Sequence, residues 1–244
     1  MRSTMMAVGI SLLLSACATA TKETEGPAAH HGEAMAGGAH ENEPGRALQS
    51  LLDGNERFVS SHVRSHDFAS ERKALVASQH PKAIVLSCSD SRLPPELVFD
   101  QTLGELFVVR SAGNVADKIG LASIEYAAEH LHSRLLIVLG HEKCGAVTAA
   151  VKGGKMPTAN LEALMQEIGP SLRGLRQKYS GDELVHWGVE ANVAATADEI
   201  LERSPLLAHL VKEGELQLVE AVYDLDNGQV RQLAGPERAV SHTH

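Results

Sequence analysis

The sequence predicts an α/β fold in which a central, mostly parallel β-sheet is flanked by helices and preceded by an N-terminal helical arm. Two apolar runs, residues 83–86 and 135–139, have the length and the branched side chains of buried parallel strands. Helical patterns separate the strand patterns from one another, and such alternation favours parallel pairing. A hairpin pattern close to the end of the chain predicts an antiparallel edge.

Composition limits what this fold can contain. The chain has 244 residues, and its ends differ from its middle, so we expect one domain of ordinary size over residues 45–240. The 31 acidic residues outnumber the 22 lysines and arginines. This balance provides no basic stripe for a phosphate backbone, and we therefore expect no nucleic-acid partner.

The first 17 residues predict an export signal. An apolar stretch from Met5 to Leu14 is too short to span a bilayer, and small residues follow it up to Cys17. This ending resembles a bacterial lipobox, which implies lipidation of Cys17 and a periplasmic protein attached to the membrane through its N-terminal lipid only. Ala18 favours the outer membrane. The alternative is an ordinary cleaved signal peptide with an incidental cysteine.

Residues 18–44 predict a disordered tether rich in His, Gly and Ala. The segment shows no apolar period, so burial cannot offset the entropy lost on ordering it. Its histidines, His30, His31 and His40, could collect metal ions loosely, but scattered histidines in such a segment are typical of polar spacers.

The first half of the domain is predicted from helical spacing and strand-length apolar runs. Pro94 and Pro95 fit the first turn of a helix, which does not use their missing N–H groups. The predicted elements are an arm helix from Gly45 to Val59, a helix over 71–78, a strand over 83–86, a helix through Phe99, a strand over 106–109, a turn over 111–114 and a helix over 119–130.

The second half is predicted in the same way. Glycines at 153 and 154 break one helix, and Ser204 with Pro205 begins another. The predicted elements are a strand over 135–139, a helix over 144–151, long helices over 160–178 and 184–203, a helix from 204, and a hairpin of strands 216–223 and 229–231 around Asp226, Asn227 and Gly228.

Metal-ligand side chains follow both apolar strands. Cys88 comes just after the first strand, and His141 and Cys144 come just after the second. Because the carboxyl ends of parallel strands meet at one edge of a sheet, these side chains are expected to converge. Two thiols and an imidazole give zinc three ligands and leave a fourth position for water or for Asp90. The alternative in an oxidising compartment is a disulfide between the two cysteines.

Asp90 and Arg92 add a carboxylate and a guanidinium beside the first ligand. A carboxylate two residues from a ligand either coordinates the metal or accepts a hydrogen bond near it. A bidentate pair with Arg92 would hold Asp90 off the metal. The alternative is a surface ion pair.

These residues resemble the β-class carbonic anhydrases, whose hallmarks are CxDxR and HxxC about fifty residues apart. Here 52 residues separate Cys88 from His141, and the resemblance also covers residues 51–58 and 223–228. It implies one Zn²⁺ per subunit, reversible hydration of carbon dioxide to bicarbonate through a zinc-bound hydroxide, Asp90 and Arg92 as the catalytic dyad, and a homodimer or a dimer of dimers.

The resemblance also implies a substrate pocket at a dimer interface. Its implied residues are Gln79 as a hydrogen-bond donor, Phe107, Ala112 and Tyr126 as an apolar wall, and the backbone of Gly145. Phe107 and Tyr126 could equally be core residues.

Two other functions are compatible with these residues. Related sequences can act on carbon disulfide or carbonyl sulfide at the same kind of zinc site. A non-catalytic zinc-binding or redox-sensing module would exchange metal for a Cys88–Cys144 disulfide, but such a module has no need for the pair of Asp90 and Arg92.

Overall fold

The structure is a computed structural model that describes residues 43–234. The expected signal peptide, Cys17 and nearly all of the expected tether lie outside the described residues, as do residues 235–244. Predictions about those segments therefore stay predictions.

The described residues form eight α-helices and five β-strands in an alternating order. The helices are α1 (Pro44–Val59), α2 (Phe68–Ala74), α3 (Pro95–Val98), α4 (Lys118–His130), α5 (Gly145–Lys152), α6 (Ala159–Ile168), α7 (Gly181–Arg203) and α8 (Pro205–Lys212). The strands are β1 (Ala83–Cys88), β2 (Leu106–Ser111), β3 (Leu135–His141), β4 (Gln217–Tyr223) and β5 (Val230–Gln232). Short 3₁₀ turns occupy Ala112–Asn114, Gly169–Leu172 and Leu175–Gln177.

One sheet joins all five described strands in the order β2-β1-β3-β4-β5. The pairs β1–β2, β1–β3 and β3–β4 are parallel, and β5 pairs antiparallel with β4 through Tyr223 and Val230. The predicted α/β class and the predicted hairpin edge are therefore confirmed.

The two predicted apolar strands lie inside the sheet. Every residue of β1 and of β3 is buried. Helix α7 packs against β3 and β4, and α4 packs against β1 and β2. An inner parallel strand with both faces covered needs apolar side chains along its whole length, which explains why these runs do not alternate.

The arm helix α1 packs closely on the domain. Its buried residues Ala47, Leu51 and Gly54 recur along one face. A side-chain carbon at Gly54 would lie 1.8 Å from the carbonyl oxygen of Phe99, so this approach requires glycine. Pro44 at the first turn confirms the predicted start of the arm to within one residue.

The prediction of a helix over 71–78 was wrong in its bounds. Helix α2 covers Phe68–Ala74, because the Asp67 side chain accepts hydrogen bonds from the backbone N–H groups of Ala69 and Ser70. This N-cap begins the helix three residues earlier than the apolar pattern indicates.

The prediction of one helix over 160–178 was also wrong. Helix α6 ends at Ile168, and two 3₁₀ turns follow it. Pro170 has no N–H group to continue the helical hydrogen bonds, and Gly169 and Gly174 are poor helix formers. The apolar pattern continues across this break because the turns remain packed on the core through Leu172.

Three of the strands are longer than the apolar runs predict. Strands β1, β2 and β3 each continue two residues beyond their predicted ends, to Cys88, Ser111 and His141. Among residues 43–234, none of the helices combines the length and the apolarity that crossing a bilayer requires.

Candidate metal centre

The three predicted ligands converge at the carboxyl end of the sheet. Cys88 is the last residue of β1, His141 is the last residue of β3, and Cys144 is the N-cap of α5. Strands β1 and β3 are neighbours, with Ser87 opposite Leu139. The ligand atoms of the three buried side chains all lie within 4.8 Å of one another, and no other such group was found among residues 43–234.

The His141 ring is oriented by its own loop. Its Nδ1 lies 2.8 Å from the backbone carbonyl oxygen of Glu142. A carbonyl oxygen can only accept a hydrogen bond, so Nδ1 carries the ring proton and is the donor. The opposite nitrogen, Nε2, is buried and has no hydrogen-bond partner. A metal-binding histidine is held in this way, with one nitrogen fixed by the protein and the other left for the ion.

The pKa values of the two thiols move in opposite directions, so that Cys88 is the more readily ionised of the two. The hydrogen bond from Cys144 lowers the pKa of Cys88, and the same contact, together with burial, raises the pKa of Cys144. Backbone amides of Ala146 and Val147, in the first turn of α5, oppose that rise. Burial lowers the pKa of His141, but the Cys88 sulfur, the Glu142 carbonyl and the Asp90 carboxylate together raise it above its ordinary value.

This donor set fits zinc. Buried sulfur and imidazole nitrogen donors suit Zn²⁺, which three protein ligands hold in catalytic sites. Cys88 and Cys144 are free thiols rather than a disulfide. The Nε2 of His141 is the one buried polar atom of the cluster without a hydrogen-bond partner, and a bound ion would give it one.

Asp90 and Arg92 form the bidentate pair that the sequence suggested. The Nε of Arg92 donates to Oδ1 of Asp90 at 2.9 Å, and Nη2 donates to Oδ2 at 2.8 Å. Oδ2 of Asp90 lies 3.7 Å from Nε2 of His141. The Asp90 side chain is 17% exposed and that of Arg92 is 55% exposed. Hydrogen bonds from Arg92 hold the pKa of the Asp90 carboxyl well below its usual range, so Asp90 is an anion that accepts hydrogen bonds.

A second layer of contacts supports Cys88 and was not predicted. The backbone N–H of Gly113 donates to the Cys88 sulfur at 3.3 Å. Gly113 has φ +66, and a side-chain carbon there would meet Ile168 at 2.7 Å. The buried Asn192 donates from Nδ2 to the Gly113 carbonyl oxygen at 2.8 Å. The Gly-Asn dipeptide at 113–114 signals the turn, but no sequence pattern links the turn to Asn192, 79 residues later.

The predicted substrate residues fall into two groups. Ala112 and Gly145 are exposed and adjoin Gly113 and Cys144 in the chain, so they border the cluster. Gln79 and Tyr126 line a separate concavity of about 590 Å³ that contains none of the three ligands.

Phe107 belongs with the second group. Its ring centroid lies 6.3 Å from that of Tyr126. Phe107 pairs with Ile84, four residues before Cys88 on β1, which is roughly 13 Å along a strand. A single chain therefore does not bring Gln79, Phe107 and Tyr126 to the three ligands.

A family of known proteins shares the part of the sequence that carries this site. Residues 83–230, which include all three ligands and both dyad residues, match the family model described as carbonic anhydrase. The chain belongs to the carbonic anhydrase family.

Individual relatives agree with this assignment. Carbonic anhydrase 2 of Mycobacterium tuberculosis is 36% identical over 76% of this chain and 91% of its own length. A carbonic anhydrase of Mycolicibacterium smegmatis is 37% identical over 77% of this chain and 92% of its own length.

Solved structures give the class. The β-carbonic anhydrase CafA of Aspergillus fumigatus is 29% identical, with a TM-score of 0.63 over 78% of this chain and 93% of its own. A β-carbonic anhydrase of Coccomyxa, solved with acetazolamide, is 25% identical, with a TM-score of 0.63 over 76% of this chain and 86% of its own. Within that family, the chain is of the β class.

Proposed function

We propose that this protein is a zinc enzyme that catalyses the reversible hydration of carbon dioxide to bicarbonate and a proton. The observation that carries the proposal is the Asp90 carboxylate, held by Arg92 at 3.7 Å from the unpartnered nitrogen of His141. A purely structural zinc site does not need an ionised carboxylate held beside it. Membership of the carbonic anhydrase family and the names of the relatives support the same reaction.

Cys88, His141 and Cys144 would hold one zinc ion per subunit. When bound, zinc supplies Lewis acidity that makes water a nucleophile near neutral pH. Binding takes the proton from the Cys88–Cys144 pair, because only thiolates are zinc ligands.

Asp90 orients the nucleophile. With both carboxylate oxygens occupied by Arg92 and the pKa held low, Asp90 can accept a hydrogen bond but has no proton to donate. The nucleophile would donate its O–H to the Asp90 carboxylate. This hydrogen bond would fix the orientation of the nucleophile, so that a lone pair on its oxygen faces the substrate. Arg92 keeps the carboxylate from turning onto the metal.

The substrate pocket is completed by a second copy of the chain. Gln79, Phe107 and Tyr126 lie away from the ligands of their own chain and would meet those of the partner. Strand β2 is at the edge of the sheet, and its apolar residues 106–109 are only half-buried. Tyr126 and Ile119 on the neighbouring α4 are also exposed, at 48% and 72%. An apolar edge of this kind is typical of an interface.

Mixed dimers test the shared pocket. A Gln79→Ala chain and an Asp90→Asn chain are each expected to be nearly inactive alone. If one chain supplies Asp90 and the other supplies Gln79, random mixing after dissociation restores about one quarter of wild-type activity, because one site in four is complete. A chain carrying both substitutions, mixed with wild type, is the control. Absence of recovery in verified mixed dimers would place the whole pocket within one chain.

Stopped-flow hydration of carbon dioxide by purified protein, with zinc content measured on the same sample, tests the reaction itself. We expect hydration that scales with the zinc content and disappears when a chelator removes the metal. Protein that holds stoichiometric zinc and accelerates hydration no more than free zinc does would refute the proposed function.

We also propose export and lipid anchoring through Cys17, with attachment to the outer membrane from the periplasmic side. The apolar stretch and the small residues before Cys17 support this proposal. A mass spectrum of the native protein is expected to show a diacylglyceryl-modified cysteine at the new N-terminus. A Cys17→Ser protein that stayed lipid-labelled and membrane-bound would contradict it.

A further inference from the structure

Arg110 makes more contacts with the candidate site's backbone than either dyad residue does. It lies on β2, opposite Ser87 of β1. We use the name dyad loop for residues 88–93, which carry Asp90 and Arg92. The Arg110 guanidinium donates to three carbonyl oxygens of this loop. Nη2 reaches Asp90 at 2.7 Å, Leu93 at 3.1 Å and Cys88 at 3.2 Å, and Nε reaches Cys88 at 3.3 Å.

These contacts fix the two ends and the middle of the dyad loop. Cys88 and Leu93 are buried, whereas the residues between them are exposed or half-buried. Two backbone hydrogen bonds also hold this stretch, from Ser89 N–H to the Ser111 carbonyl at 2.9 Å and from Leu93 N–H to the Asp90 carbonyl at 3.0 Å. Arg110 is thus the side chain that ties the loop to the neighbouring strand.

The dyad pair cannot hold the loop by itself. Arg92 pairs with Asp90 from within the same partly exposed stretch of the loop. Arg92 is also only two residues from Asp90, so their pairing fixes the carboxylate relative to the loop and not relative to His141. The position of the loop must come from outside it, and Arg110 supplies contacts from β2.

Geometry makes a guanidinium suited to this task. Its donors lie in one plane at fixed angles, so Nε and Nη2 together reach the Cys88 carbonyl oxygen while Nη2 also lies within hydrogen-bond distance of those of Asp90 and Leu93. A lysine ammonium at the same place carries the same charge but cannot reproduce the fixed planar arrangement. The Asp90 carbonyl oxygen takes the shortest of these bonds, at the residue whose carboxylate lies 3.7 Å from His141.

We propose that Arg110 is a positioning residue for the reaction: it holds the backbone of the dyad loop so that Asp90 faces the nucleophile. The inference rests on the proposed function, because it assigns Arg110 a role in the same hydration reaction.

Three variants test the proposal in the full-length zinc-loaded protein. Arg110→Ala removes the guanidinium, and Arg110→Lys keeps only the charge. Arg176→Ala is the matched control, because Arg176 also donates to two backbone carbonyls, those of Ala150 and Val151, at the far end of α5. Zinc content, melting temperature, kcat and KM are measured for each, and Arg110→Ala is assayed again with added guanidinium ion.

We expect kcat to fall between about 10-fold for the lysine variant and about 100-fold for the alanine variant, since displacement of a reacting group by about 1 Å has that effect. KM and zinc content should stay near wild type, and guanidinium ion should restore part of the kcat of Arg110→Ala. Arg176→Ala should lower the melting temperature without lowering kcat.

Several results would overturn the inference. One is a folded, zinc-loaded Arg110→Lys protein with wild-type kcat. Another is an Arg110→Ala protein whose kcat falls only as its folded fraction falls and does not respond to guanidinium ion. If Arg110→Ala does not fold, the kcat of the lysine variant decides. A wild-type protein without zinc-dependent hydration would instead refute the proposed function, which separates the two failures.

Discussion

The dyad loop after β1 and the loop of residues 141–144 after β3 both carry ligands at the ends of buried parallel strands, but they are held differently. The dyad loop leaves the sheet and is tied back by Arg110 from β2. In the second loop, the N–H of Glu142 donates to the Tyr223 carbonyl at 2.9 Å, which continues the pairing of β3 with β4. Lys143 in this loop also pairs with Asp226, in an ion pair that is largely open to water.

This difference separates two tasks. The second loop supplies two of the three ligands and is tied to β4 by a backbone hydrogen bond. The dyad loop supplies one ligand and the Asp90 carboxylate, and beyond its bond from Ser89 N–H to Ser111 it is tied to β2 by the Arg110 side chain. We infer that changes in the second loop act mainly on metal binding, whereas changes in the dyad loop beyond Cys88 act mainly on turnover.

His141→Ala gives the largest expected effect, because it removes a candidate metal ligand. Without the metal, water loses its acidity, and activity should fall by at least about 1,000-fold. Zinc content by mass spectrometry should fall with it. His186→Ala is the control, since His186 contacts Glu142 in the same loop but is not a ligand. A His141→Ala protein that retained stoichiometric zinc and activity would remove His141 from the ligand set.

Asp90→Asn tests the other half of the comparison. The amide keeps the size of the side chain but loses the charge, so zinc content should stay at wild type while kcat falls about 100-fold to 1,000-fold. Asp226→Asn removes a carboxylate from the surroundings of the second loop and should leave kcat unchanged. Equal zinc loss in the Asp90 variant would show that the dyad loop serves metal binding as well.

Asn192→Ala is expected to have an intermediate effect, on metal binding through Gly113. The substitution leaves the buried Gly113 carbonyl unpaired and loosens the turn whose N–H contacts the Cys88 sulfur. Loss of an outer contact of a ligand lowers metal affinity about 10-fold to 100-fold. The unpaired carbonyl lowers the free energy of unfolding by about 1–3 kcal/mol. Chelator competition and urea unfolding measure the two, and unchanged zinc affinity would contradict the role of the turn.

The smallest expected effect is on the pH dependence of stability. Arg92 lowers the pKa of Asp90 in the folded protein. The Asp90 carboxylate therefore stabilises the folded state fully at pH values above its unfolded pKa of about 3.9. This contribution is lost as the pH falls from there through the lower folded pKa. We therefore expect metal-free Asp90→Asn to be slightly less stable than the metal-free wild type near neutral pH, with the difference shrinking in acid. Thermal unfolding across this range checks the sign. A difference that grows as the pH falls would contradict it.

The sequence predicted those features that depend on local pattern. The apolar runs of β1 and β3 are unambiguous because both strands are buried on both faces, and the spacing of Cys88, His141 and Cys144 then predicts their meeting. Features set by distant contacts were not predictable. The three carbonyl contacts of Arg110 depend on the register of β2 against β1, which no local pattern specifies. The break after Ile168 was visible as Gly169 and Pro170, but the continuing apolar spacing concealed it.

The placement of Cys88 and His141 on neighbouring strands has a consequence for how the chain folds. The second loop alone offers two donors, and the third arrives only when β1 pairs with β3 across the intervening β2 and α4. Closing a loop of this length costs chain entropy before any distant contact forms, so the full donor set is assembled late relative to the local helices. The rate at which refolding protein takes up zinc therefore measures when the centre of the sheet forms.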